Sequence, residues 1–108
     1  TQASNVENLI SQGAKVVIVL AQDGTAIKPA VASAIANGVP VIAYDRLILN
    51  ASIDYYLSFD NVKVGEAQAA YVAARLPQDR KARIVRLYGA PTDNNAKMFS
   101  TGTVDDCS

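Results

Sequence analysis

Val16-Val17-Ile18-Val19-Leu20 joins four β-branched residues to a leucine without polar alternation, the pattern of a parallel strand covered on both faces. The run is far too short to span a bilayer, so no membrane insertion is expected from it. After Gln22-Asp23-Gly24, Thr25 is placed to cap a helix whose apolar face is Ile27, Val31, Ala34 and Ile35. Pro29 fits the first turn of that helix and Gly38 closes it. Val41 to Tyr44 reads as the next strand. Strand, crossover helix and strand form a βαβ unit, whose crossover should be right-handed and whose two strands should be parallel. The expected fold class is α/β, a three-layer open parallel sheet with helices on both faces.

The flanks agree with this reading. Upstream, Val6, Leu9 and Ile10 have helical spacing within Asn5 to Gln12, and Gly13 suits the left-handed residue after a helix. Downstream, Arg46 to Ser52 reads as loop and Tyr55 to Phe59 as a shorter strand. Asp60 or Asn61 then caps a helix through Ala74, with Val64, Gln68, Tyr71 and Ala74 spaced helically. Pro77 ends it. Gln78 to Arg83 is a polar turn, Ile84 to Tyr88 another strand, Gly89-Ala90-Pro91 a break, and Asp93 to Ser100 the opening of a last helix. Tyr44, Tyr55, Tyr56, Phe59 and Tyr88 read as core and interface aromatics.

The residue inventory restricts the chemistry. With no histidine, His-based acid–base catalysis, Ser-His-Asp triads and most zinc sites are excluded, so neither an enzyme nor a metal or cofactor site is expected. The one cysteine, Cys107, reads as an exposed tail thiol with no internal disulfide partner. Ten basic residues balance ten acidic ones, so nucleic-acid binding would need a local basic patch. The one candidate, Arg75 to Arg86, is interrupted by Asp79 and lacks interleaved aromatics; it reads as a solvated turn and strand. Thr1 does not open a basic segment followed by an apolar one, so a targeting peptide is expected to be absent or removed.

Each strand ends in a polar turn: Gln22-Asp23-Gly24, Asp45-Arg46, Asp60-Asn61 and Thr92-Asp93-Asn94-Asn95. In an open parallel sheet these turns share the carboxyl edge, where such folds bind ligands. Asp45 offers fixed acceptors beside the fixed donors of Arg46, and Asn95 offers both, a set suited to a neutral polyhydroxyl compound. Neither G-x-G-x-x-G nor G-x-x-x-x-G-K-[ST] occurs, so the backbone cradle for phosphates is missing. The same residues have structural readings: Asp60, Asn61 and Asp93 as helix caps, and Asp45-Arg46 as a surface ion pair.

Three segments carry a family resemblance: Val41-Ile42-Ala43-Tyr44-Asp45-Arg46; Ser58-Phe59-Asp60-Asn61 with Val64-Gly65-Glu66-Ala67-Gln68-Ala69; and Gly89-Ala90-Pro91-Thr92-Asp93-Asn94-Asn95-Ala96-Lys97. They resemble the amino-terminal lobe of type I periplasmic sugar-binding proteins, most nearly the D-xylose-binding proteins of ABC importers. The Asp-Arg pair and the S-F-D-N turn are shared across pentose and hexose binders, and D-N-N-A-K is the xylose-type mark. The resemblance covers Thr1 to Phe99 and leaves Ser100 to Ser108 outside it.

The resemblance implies a flavodoxin-like, periplasmic-binding-protein lobe, incomplete because family members carry a strand, helix and strand before the position of Thr1 and a second lobe after the last helix. Residues 1–102 would be the partial lobe and 103–108 a tail. Asp45 and Arg46 would hydrogen-bond sugar hydroxyls, with further contacts from Asn95 and Asp93. The implied partners are a monosaccharide and an ABC permease, with no cofactor and no nucleic acid, in the periplasm or another extracytoplasmic space. A lone lobe would bind weakly. Two alternatives are a self-associating α/β module without sugar binding and the sugar-sensing core of a repressor. Without the family's first strand, Val16 to Leu20 becomes an open sheet edge guarded only by Lys15, so a homo-oligomer is expected, through edge pairing or an exchanged Ser100 to Ser108 segment.

Overall fold

The computed structural model describes residues 1–77, 79 and 81–105. Part of the Gln78 to Arg83 turn and the expected tail thiol Cys107 lie outside the described residues. The chain divides into two compact units, Thr1–Ser58 with Thr92–Asn94, and Phe59–Pro91 with the chain from Asn95 onward.

The first unit contains α1 (Gln2–Ser11), β1 (Val17–Val19), α2 (Lys28–Ala36), β2 (Val41–Tyr44) and β3 (Tyr55–Leu57). The strands form one sheet in the order β1-β2-β3, and both pairings are parallel. This is the α/β architecture that the strand–helix alternation implies. Ile18 aligns with Ile42, and Ile42 with Tyr55, so each register level carries one residue per strand. Asp54 fixes where β3 begins: its amide donates to the Val41 carbonyl at 2.9 Å, and its carboxylate accepts from the Val41 amide at 2.8 Å.

Val17, Val19, Val41 and Ala43 point into one core with Val6 of α1, Ala30, Val31 and Ala34 of α2, and Ile27 and Ile48. Each large side chain buried there stabilises the unit by about 1.5–3 kcal/mol. Both helices pack on this face. The expectation that Val16 to Leu20 is covered on both sides is corrected: Ile18 is 67% exposed, and Val16 and Leu20 are exposed beside it. Alternation is imposed by the pleat, which sends Ile18 away from the helices whatever its hydropathy.

Both helices of this unit start differently from the sequence reading. Helix α1 begins at Gln2 because Thr1 Oγ1 accepts from the Ser4 amide at 3.4 Å. Helix α2 has no side-chain cap at its first residue. Instead of Thr25, Asp23 organises the preceding turn, its Oδ1 accepting from the amides of Thr25 at 2.8 Å and Ala26 at 3.0 Å. A carboxylate receives two backbone donors there, which a threonine hydroxyl does less well. The Ala26 bond first, and the Thr25 bond second, hold the Asp23 carboxyl below its ordinary value of 3.8. Pro29 does lie in the first turn of α2, and Gly38 follows it at φ +70°.

The second unit is helical. Asp60 caps α3 (Asn61–Ala73) by accepting from the Lys63 amide at 3.2 Å, as its position before the apolar spacing implies. Helix α4 spans Asn94–Asp105, so residues 103–105 continue a helix where a tail was expected. The two helices meet through glycine: a Cβ on Gly65 would strike the carbonyl of Phe99, and one on Gly102 would strike the carbonyl of Val62. The Ile84 to Tyr88 strand is not formed among the described residues, and Val85 and Leu87 are 88% and 93% exposed. An apolar β-prone run becomes a strand only against an extended neighbour, and the unit that holds it offers helices.

Two predictions follow from these contacts. Gly65→Ala gains about 1 kcal/mol of helix propensity but forces a methyl into backbone that cannot rotate away, at a cost of about 1–3 kcal/mol, so a lower urea midpoint is expected. For Asp23, whose pKa is lowered on folding, the stabilisation is present above its unfolded value and is lost as pH falls through the folded one. Thermal melts from about pH 5 to pH 3 should therefore decline more steeply for wild type than for Asp23→Asn, which keeps the turn's acceptor without the charge.

Candidate functional site

At the carboxyl end of β2 the chain turns abruptly. Asp45 has φ +64°, and the Arg46 amide donates to the Tyr44 carbonyl at 2.7 Å, closing a three-residue γ-turn. Positive φ costs an ordinary residue about 1–3 kcal/mol, and aspartate is among the side chains that tolerate it best. Neighbouring bonds hold the conformation: the Asp45 amide donates to Leu57 O at 2.7 Å, and Ser58 Oγ donates to Asp45 O at 2.8 Å. Asp45 and Arg46 are therefore fixed at the strand end, both half-buried.

Three acceptors surround the Arg46 guanidinium. Its Nη1 donates to Gln22 O at 3.2 Å and lies 3.4 Å from Ala21 O, while Nη2 stands 3.4 Å from Asp93 Oδ2. The Arg46 and Asp93 side chains are 31% and 16% exposed, so the pair is partly shielded and still reachable. Arg46 also borders an open cleft of ≈ 620 Å³ with Thr1, Gln2, Asn5, Leu20 and Gln22. Arg46 thus forms an ion pair with Asp93.

Asn95 belongs to the second unit, where it is buried and its Oδ1 accepts from the Asn61 amide group at 3.0 Å. Asn61, read from the sequence as a cap or as part of a convergent polar turn, is a buried partner of Asn95. Of the residues selected from sequence, the structure brings Arg46 and Asp93 together, and Asp45 precedes Arg46 in the chain. Gln2 and Ser58 also act on this region and carry no spacing signal; Gln2 precedes the first apolar position of α1. Among the described residues no cluster of His, Cys, Asp or Glu could hold a metal ion, and no helix is long and apolar enough to cross a membrane.

The core part of the aromatic reading is corrected. Tyr44, Tyr55, Tyr56, Phe59 and Tyr88 are all exposed, with Phe59 at 81%. In the basic stretch, Arg75 stacks on the Tyr71 ring at 3.5 Å and donates to the Tyr71 carbonyl, and Arg86 donates to Thr103 Oγ1. Arg80 lies outside the described residues.

The family pattern described as a periplasmic binding protein domain matches residues 1–105, which extends the resemblance beyond Phe99 to the end of the last helix. The D-xylose-binding periplasmic protein of Escherichia coli K12 is 42% identical over 102 residues, covering 94% of this chain and 30% of that protein. The multiple sugar-binding periplasmic receptor ChvE of Rhizobium radiobacter is 43% identical over 107 residues, covering 95% and 30% respectively. An ABC-transporter solute-binding protein from Clostridium phytofermentans, solved with bound β-D-glucose, superposes with a TM-score of 0.86 at 37% identity, covering 97% of this chain and 34% of that one. The chain therefore spans about a third of the length of these relatives. With the match running from the first residue almost to the last, the chain belongs to the periplasmic binding protein family.

Proposed function

We propose that the chain is the ligand-contacting part of an extracytoplasmic receptor for a neutral monosaccharide, a pentose such as D-xylose, that delivers its sugar to an ABC permease. The observation that carries this reading is the guanidinium of Arg46 held against Ala21 O, Gln22 O and Asp93 at the mouth of an open cleft. Asp45, Arg46, Asn95 and Asp93 are the proposed hydroxyl-binding groups. Carboxylates accept from hydroxyls, the guanidinium donates to them, and the amide does both, which is the recognition a polyhydroxyl compound needs. Relatives named for xylose and for multiple sugars, and a neighbour with bound glucose, support the ligand class and the location. Binding without catalysis agrees with a chain that has no histidine.

The relatives are about three times longer, and the remaining length supplies the other contacts on this reading. Losing half of a hydrogen-bonding shell at about 0.5–1.5 kcal/mol per bond moves a micromolar binder beyond millimolar. Isothermal titration with xylose, ribose, arabinose and glucose should show weak, sugar-dependent heats for the 108-residue chain and strong ones for a receptor containing it. Arg46→Ala should abolish both. Unchanged affinity of the Arg46→Ala receptor would remove the site assignment.

For the 108-residue chain by itself, self-association is the companion proposal. Strand β1 has β2 on one side only among the described residues, and Val16, Ile18 and Leu20 expose their side chains around it. An unguarded β-prone edge pairs readily with a second copy. Sedimentation at high micromolar concentration should show a dimer or larger species; a stable monomer with slow hydrogen exchange across Val17–Val19 would refute it.

A further inference from the structure

The side chain of Gln2 makes a pair of bonds that a neighbouring strand would otherwise make. Its Nε2 donates to the Leu20 carbonyl at 2.7 Å, and its Oε1 accepts from the Gln22 amide at 2.9 Å. In a parallel ladder one residue of a strand donates to the carbonyl before its partner residue and accepts from the amide after it. The Gln2 carboxamide flanks Ala21 in that same pattern, one planar amide replacing a peptide unit. It therefore holds the backbone from Leu20 to Gln22 just beyond the end of β1, anchored to the first residue of α1.

That short segment also supplies two of the three acceptors around Arg46, the carbonyls of Ala21 and Gln22. Gln2 grips Leu20 O and Gln22 N, leaving Ala21 O and Gln22 O to face the guanidinium. Gln2, Gln22 and Arg46 all line the same cleft. Ala21 is buried, so the segment has little freedom once the amide bonds are made.

We propose that Gln2 is a positioning residue for Arg46: it fixes the carbonyl pair that orients the guanidinium, and so sets the affinity of the site for its ligand. The inference rests on the sugar-binding reading for its functional half, while its structural half stands on the bonds alone. Only a carboxamide serves at this position. A glutamate can still accept from the Gln22 amide but sets a second oxygen against Leu20 O, and a leucine fills similar space without either bond.

The ¹H–¹⁵N signals of the Arg46 guanidinium in the full 108-residue chain test this directly, with wild type, Gln2→Leu and Gln2→Glu compared and D-xylose as the titrant. In both variants the Arg46 signals should shift toward those of a solvated arginine and D-xylose should bind roughly tenfold more weakly, and in Gln2→Leu the Gln22 amide should also exchange faster. The amides of Val41–Tyr44 should keep their positions, which separates reorientation of Arg46 from unfolding. Should Gln2→Leu unfold the unit, Gln2→Glu supplies the comparison. Unmoved Arg46 signals in a folded variant overturn the proposal. Shifted Arg46 signals together with no response to D-xylose in a receptor containing the chain would keep Gln2 as the support of Arg46 and strike out the sugar reading alone.

Discussion

The register between β1 and β2 is the constraint on which the first unit depends. Val17 aligns with Val41 and Val19 with Ala43, and all four are buried against α1 and α2. Because side chains alternate with period two, a slip of one residue would turn Val17 and Val19 to solvent and Ile18 to the core. Burial of such side chains is worth about 1.5–3 kcal/mol each, whereas the hydrogen bonds of Arg46 are worth about 1 kcal/mol apiece. The core therefore sets the register and the site follows from it. In a parallel pair both strands leave by the same edge, which is what brings the carbonyls of Ala21 and Gln22 within reach of Arg46.

Much of this was legible in the sequence because the signals were local. The β-branched run, the Pro29 and Gly38 punctuation and the following apolar strand define β1-α2-β2 with little help from the rest of the chain. Asp45 and Arg46 could be located as strand-end residues for the same reason. What could not be read depended on partners distant in sequence. Asp93 as the counter-charge of Arg46, Asn61 as the holder of Asn95 and Gln2 as the clamp on Leu20 and Gln22 are contacts between elements, and no spacing encodes them. Ile84 to Tyr88 failed in the opposite sense, since its composition favours a strand and pairing alone makes one.

Strain and charge at the end of β2 reinforce each other. The positive φ of Asp45 is held by the Leu57 and Ser58 bonds, so β3 and the residue after it stabilise a turn that aspartate alone would adopt reluctantly. That turn sets Arg46 off the strand axis, where Asp93 and the two carbonyls meet it. A partly exposed ion pair contributes little to stability, about 0–1 kcal/mol, so its value here is orientation.

The charge arrangement bears on which ligands the proposed site can accept. Asp45 adjoins Arg46 in the chain and Asp93 pairs with it, so these three residues together carry one more negative than positive charge. The guanidinium, the one strong anion-binding group among them, is already turned toward a carboxylate and two carbonyls. A phosphorylated or carboxylated sugar drawn to Arg46 would have to displace Asp93 and then lie near it, a like-charge contact beside partly shielded side chains, where such contacts cost more than in water. On this proposal a neutral sugar would need no displacement: its hydroxyls would donate to the carboxylates and accept from the remaining guanidinium protons. On physical grounds alone, the proposed site is matched to an uncharged polyhydroxyl ligand and mismatched to its phosphate ester.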